Sequence, residues 1–352
     1  MIKEIGSIFP LYSEFINQKR TTFQSEDKKL YSLCRETFTV IANSLCSTNK
    51  TVLIPAYTCQ TVITPFEEAG WTCIFFNIHK NLRIDIDHMN IQTESHHPTL
   101  IVVHPYFGMD LDEDEVKNIK SIRKQGVKVV IDLTQCIFSE QKYTYADYIV
   151  GSYRKWFAIP DGGFLTVNSY NDICQPTKEN EPFVTRQVDA MYLRGLYFQN
   201  GDYRIKQISI RLSKAADQVA EKDIAPHRMS TLSCQLLEQE DRQANQLRRT
   251  NNFTCLFDNI RKSEKYDFVC KEKKTVTTAP LYFTIYVQDR QALQRQLAQD
   301  SIYAPVIWPV EDERVLINDE VKYIYDHLLA IPCDQRYDEN DMKRVVEIIN
   351  QF

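Results

Sequence analysis

Residues 127–163 read VKVVIDLTQCIFSEQKYTYADYIVGSYRKWFAIPDGG. Two apolar, β-branched runs, VKVVIDL and YIVGS, are followed by polar residues where a strand would end. Nearly continuous apolar runs of this length suit strands whose two faces are both covered by helices. In open parallel sheets, ligands bind beyond the carboxyl ends of the strands. Asp132 closes the first run and Lys155 lies just past the second, so both fall at neighbouring strand ends. Asp132 is either a turn cap or the partner of a cationic ligand atom. Lys155, beside Trp156 and Phe157, is either a snorkelling surface lysine or an amine made reactive by partial desolvation. Gly162–Gly163 forms an ordinary turn or permits a close backbone approach.

Outward from this stretch the pattern repeats. Further strands are expected at 51–56 (TVLIPA), 73–78 (CIFFNI), 99–105 (TLIVVHP) and 163–168 (GFLTVN), with 127–133 and 148–152 between them. A helix is expected from Asp112, with Val116, Ile119 and Ile122 on one face and Gly126 as its stop. Alternating strands and helices imply an α/β fold with a mostly parallel central sheet and helices on both faces. Residues 170–225 are less regular. One long helix is expected from Met229 to Lys262, then a strand at 281–287, a helix Arg290–Gln299 and a closing helix Glu339–Gln351. The expected division is a large domain, 1–245, and a smaller C-terminal α+β domain, 246–352.

Composition narrows the function. The net charge of −5 over 352 residues disfavours nucleic acid or an anionic membrane as partner. No apolar run approaches the ~18 residues of a membrane span, and MIKEIGSIFP lacks the apolar core of a secretory leader. The ten cysteines form no CxxC pair and the seven histidines show no ligand spacing, so no metal is expected and a reduced, cytoplasmic chain is. Neither GxGxxG nor a P-loop occurs.

One cofactor uses these parts together. Pyridoxal phosphate (PLP) needs a lysine amine for its aldehyde, a carboxylate against its pyridinium nitrogen, and backbone donors for its phosphate. Lys155 and Asp132 supply the first two. The turn into a helix at Ser32-Leu33-Cys34-Arg35-Glu36 supplies the third.

At this point the chain resembles a family, the DegT/DnrJ/EryC1/StrS sugar aminotransferases, from about residue 30 to the end. The segments that carry the resemblance are VLIPAYTCQTVITPFEEAGWTCIFFNI (52–78), VVHPYFGMDLDEDEV (102–116), VVIDLTQC (129–136), SYRKWFAIPDGG (152–163), APHRMSTLSCQLLEQEDRQANQLRR (225–249) and AIPCDQRYDENDMKRVVEII (330–349). The resemblance implies the PLP-dependent transferase fold type I. It implies Lys155 as the lysine that bonds the cofactor, Asp132 as the pyridinium partner and Gln135 near the ring hydroxyl. Ser152, Cys34 and Arg35 fall at the phosphate turn, and Arg228 reaches a neighbouring subunit's phosphate site. The implied reaction moves an amino group from an amino acid, glutamate by analogy, to a nucleotide-linked keto-sugar, in a homodimer with shared sites.

The sequence also departs from the family. Ser152 stands closer to Lys155 than the family's serine does to its lysine. Cys34-Arg35 replaces a glycine–threonine turn, so only backbone amides carry over there. Cys59 stands where a ring-stacking aromatic is usual, which leaves Tyr57 as the candidate stacker, and Pro226 replaces an asparagine. Two competing readings follow: a catalytically silent relative that binds a sugar nucleotide or partner chain, and a PLP enzyme acting on a small amine.

Overall fold

A computed structural model of the chain describes residues 3–12, 14, 28–168 and 173–352. The described residues form ten strands: β1 (Lys29–Tyr31), β2 (Thr51–Pro55), β3 (Thr72–Phe76), β4 (Leu100–Val103), β5 (Lys128–Asp132), β6 (Tyr148–Ser152), β7 (Gly163–Val167), β8 (Tyr266–Phe268), β9 (Tyr282–Val287) and β10 (Leu328–Pro332). The first seven form one sheet in the order β1-β7-β6-β5-β4-β2-β3, and the last three form another in the order β10-β9-β8. The six strands expected between residues 51 and 168 are all present, as β2 to β7.

The chain divides into two compact units, each discontinuous in sequence. One comprises Ser7–Leu45 and Val150–Asp241; the other comprises Ile2–Gly6, Cys46–Ile149 and Arg242–Phe352. In the second unit β2 runs parallel to β3 and to β4, and β4 runs parallel to β5. All four residues of β4 are buried, so both faces of the sheet are covered there. The helix Glu113–Lys124 begins with a full capping box between Asp112 and Glu115, and Gly126 follows it at φ 97°. The antiparallel β8–β9–β10 sheet shares a core with the helices Arg242–Asn259, Arg290–Gln299 and Glu339–Gln351, in which Phe253, Ile285, Leu293, Leu329 and Val345 are buried. The last two helices occupy the expected residues.

In the first unit β1 pairs antiparallel with β7. The stretch expected to be irregular holds two twenty-residue helices, Glu181–Asn200 and Tyr203–Lys222. The inward stripe of the first is helical in spacing, at Phe183, Gln187, Ala190, Met191, Arg194 and Gly195. Its polar members hid the period from a reading based on apolar residues alone. The expected long helix from Met229 to Lys262 is two helices, Thr231–Glu238 and Arg242–Asn259. Between them Gln239, Glu240 and Asp241 bring no apolar residue to either face. The Gln239 and Glu240 amides bond back to Leu236 and Leu237, at 3.1 and 3.4 Å, which tightens and ends the turn. No helix of the described residues is long and apolar enough to cross a membrane.

Candidate active site

In the second unit the polar residues begin where the parallel strands end. Val103 of β4 lies opposite Ile131 of β5, so His104 and Asp132 are the next residues in register. His104 Nδ1 lies 3.2 Å from Asp132 Oδ2, and both side chains are almost wholly enclosed. The other carboxylate oxygen accepts from the Thr134 amide at 2.9 Å. Burial pushes the Asp132 pKa up. The His104 hydrogen bond and charge and the Thr134 bonds outweigh burial and bring it below the usual carboxylate value. An ionised carboxylate only accepts, so Nδ1–H donates to it. His104 Nε2 lies 2.8 Å from the Thr58 hydroxyl. The Thr58 amide is held in turn by the Tyr325 hydroxyl at 3.1 Å. His104 had no role in the sequence reading. The available signal was its place at the end of an apolar strand, level with Asp132 once β4 and β5 pair.

Gln135 ends the short 3-10 turn after Asp132. Its Oε1 accepts from the Phe107 amide at 3.2 Å, while its enclosed Nε2 has no partner among the described residues. Tyr57 is fully buried; its hydroxyl donates to the Ile307 carbonyl at 3.1 Å. Its ring centroid lies 5.1 Å from those of Trp308 and Tyr325. Cys59 precedes the helix Gln60–Glu68, and its thiol accepts from the Thr61 hydroxyl at 3.0 Å.

The first unit carries the remaining expected residues. Lys155 lies in the turn after β6 and is exposed. Trp156 and Phe157 are 0% and 1% exposed, so they pack inward beside an exposed lysine. The turn is pinned by the Tyr153 amide on the Gly162 carbonyl, 2.9 Å, and by the Trp156 amide on the Tyr153 carbonyl, 2.9 Å. Ser152 is buried at the end of β6. The Gly162 amide donates to the Ser32 carbonyl at 2.7 Å, tying this loop to the head of the helix Cys34–Ser44. Gly163 passes so close to that head that a Cβ there would stand 2.6 Å from the Cys34 nitrogen. Leu33, which precedes the helix, gives it no side-chain cap. Arg228 bonds Glu179 Oε1 at 2.6 Å and is 43% exposed. Asp161 is fully buried and takes bonds from the Ser230 amide and hydroxyl, at 2.9 and 2.6 Å, and from the Ser233 hydroxyl.

Asp132, Gln135 and Tyr57 thus lie in one unit, and Cys34, Arg35, Ser152, Lys155 and Arg228 in the other. Taken unit by unit, each set fits a part of pyridoxal phosphate. Asp132 is an ionised acceptor for a cationic ring nitrogen. The orphaned Gln135 amide is a donor for a ring oxygen. The uncapped helix head beside the bare Cα of Gly163 suits a phosphate. No group of three potential metal ligands occurs among the described residues.

No family model matches the sequence, and no curated protein does. Solved structures match its backbone over nearly the whole length. The putative sugar aminotransferase Spr1654 from Streptococcus pneumoniae, in its PMP form, aligns with a TM-score of 0.69 and 12% identity, over 99% of this chain and 97% of that one. PseC of Helicobacter pylori, an aminotransferase involved in the biosynthesis of pseudoaminic acid, gives 0.67 and 12%, over 99% of both chains. A DegT DnrJ EryC1 StrS aminotransferase from Brucella abortus gives 0.65 and 12%, over 92% of this chain and 85% of that one. The chain therefore has the fold of these proteins.

Proposed function

We propose that this chain, folded as the sugar aminotransferases are, is a PLP-dependent aminotransferase that moves an amino group from an amino acid to a nucleotide-linked keto-sugar. The observation that carries the reading is the carboxylate at the end of β5. Asp132 is buried yet kept ionised by His104 and Thr134, beside an enclosed amide of Gln135 that has no partner. Buried charges and orphaned buried donors are costly, and a cationic heteroaromatic ring with a neighbouring oxygen answers both.

When bound, the cofactor supplies an aldehyde that bonds to amines and a ring that withdraws electrons. The Lys155 amine would hold that aldehyde and would move the proton at the donor's α-carbon. General-base work of this kind contributes ~10²–10⁴-fold. Asp132 keeps the ring nitrogen protonated, His104 fixes the carboxylate, and Gln135 donates to the ring oxygen. Ser152 and the helix head at Cys34 and Arg35 take the phosphate. In a homodimer Arg228 reaches the neighbouring subunit's phosphate site. The donor is glutamate, and the aminated sugar serves polysaccharide or amino-sugar biosynthesis in the cytoplasm.

The test is an absorbance scan of the purified protein with PLP, before and after borohydride. Wild type is expected to gain the visible band of lysine-bound cofactor, and Lys155→Ala to lack it. An unchanged spectrum in the variant overturns the assignment.

One observation favours a second reading, a catalytically silent relative. Cys59 stands at the stacking position and the Tyr57 ring is enclosed. A wild-type protein that stays colourless with PLP supports that reading. A PLP-loaded protein that aminates none of several nucleotide-linked keto-sugars supports instead an enzyme of small amines.

A further inference from the structure

The head of the helix Cys34–Ser44 carries more positive charge than the roles above use. Arg154, the residue before Lys155, packs its guanidinium over the ring of Phe183, with Cζ 5.7 Å from the centroid. Phe183 is fully buried in a cluster with Leu33, Ala216 and Ala220, and Leu33 is the residue from which the helix starts. The backbone holds the same place: the Arg154 amide donates to the Gly162 carbonyl at 3.4 Å, and the Gly162 amide to the Ser32 carbonyl. The Arg154 Nε is enclosed and has no partner among the described residues. No carboxylate of the described residues pairs with Arg154, nor with Arg35, the second residue of the helix.

Burial works against the Arg154 cation and the charge of Arg35 adds to it, while Asp217 and Asp161 offset part of that without pairing with it. A guanidinium does not shed its proton in a protein, and a partly buried cation without a partner is destabilising. The helix dipole adds positive potential at the same head. The missing element is an anion with several acceptor oxygens, and a planar guanidinium fork matches a phosphate in two parallel bonds.

We propose that Arg154, with Arg35 and the helix head, binds a phosphate-ester dianion, Arg154 supplying the side-chain donor that a glycine–threonine turn would have offered there. The identity of that ester as the cofactor's own phosphate rests on the aminotransferase reading. The binding chemistry does not, because a diphosphate of a nucleotide substrate presents the same oxygens.

The test compares wild type, Arg154→Gln and Arg35→Gln on four probes. Inorganic phosphate is titrated onto the cofactor-free protein and followed by thermal midpoint. PLP and phosphate-free pyridoxal are titrated by absorbance. Uridine diphosphate is titrated calorimetrically onto the PLP-loaded protein. Wild type is expected to be stabilised by inorganic phosphate, and Arg154→Gln to lose that response. Each lost charged bond is expected to weaken phosphate-ester binding about tenfold to a hundredfold. A loss confined to PLP, with pyridoxal unchanged, identifies the cofactor's phosphate; a loss confined to uridine diphosphate identifies the nucleotide. Wild-type responses to all probes in both variants overturn the proposal. So does an equal loss of PLP and pyridoxal with the phosphate response intact. If Arg154→Gln lowers the ligand-free midpoint, Arg35→Gln decides the matter. A wild type that binds inorganic phosphate but not PLP sinks the aminotransferase reading and leaves the cradle standing.

Discussion

His104 decides how Asp132 behaves. Without its imidazole the buried carboxylate loses a charged hydrogen bond and keeps only the turn amide. His104→Ala is expected to cost about 1–3 kcal/mol in urea denaturation and to move the Asp132 pKa upward; a variant as stable as wild type would remove His104 from this role. A second buried pair has the opposite pH sign. His227 Nδ1 lies 3.6 Å from Glu36 Oε1, and the His227 amide donates to Oε2 at 3.0 Å. The neighbouring Glu36 carboxylate raises the His227 pKa above its ordinary 6.5. Its contribution to stability is therefore complete below 6.5 and is lost as pH rises through the folded value. Burial raises the Glu36 pKa, so its contribution also declines with rising pH. Asp132, lowered, contributes above the carboxylate range and is lost as pH falls through its folded value. Denaturation midpoints are expected to decline as pH rises above 6.5, and His227→Asn to flatten that slope. An unchanged slope in the variant would count against the pair.

At the scale of elements, β7 and the helix Cys34–Ser44 touch because residue 163 has no side chain. In Gly163→Ala the Cβ would meet the Cys34 nitrogen at 2.6 Å and the Leu33 carbonyl carbon at 2.7 Å, both backbone atoms that cannot swing aside. The strand or the helix must shift, at a cost of about 1–3 kcal/mol, and phosphate binding at the helix head is expected to weaken with it. Full stability and full binding in that variant would show that the approach is loose. The capping box of the helix Glu113–Lys124 gives a smaller effect: Asp112→Ala is expected to lose about 1 kcal/mol, read from the thermal midpoint. The parallel strands and this helix were legible in the sequence, because apolar runs and a Gly126 stop are local signals. The helices Glu181–Asn200 and Tyr203–Lys222 were not, since Gln187, Arg194 and Lys206 take buried places that an apolar pattern assigns to hydrophobic residues.

At the scale of the molecule, distant parts of the sequence make one core. Ile5 is fully buried with Phe253, Ile285, Leu329 and Val345, and its amide bonds the Ser301 carbonyl at 3.0 Å. The Gly6 amide donates to the Tyr337 hydroxyl at 2.7 Å, across 331 residues of sequence. Ile5→Ala is expected to cost about 2–5 kcal/mol, measured by denaturant unfolding; a cost near zero would mean the segment is merely laid on the surface. The sequence by itself determined the α/β class, the positions of the central strands along the chain, and Asp132 and Lys155 as strand-end residues, because strand periodicity and turn residues are written in neighbouring positions. Tertiary structure alone decided that His104 faces Asp132, that Lys155 is exposed while its aromatic neighbours are buried, and that Arg154 sits over Phe183. Each of these depends on strand register or on packing between residues far apart in the chain, and neither is fixed by any short stretch of sequence.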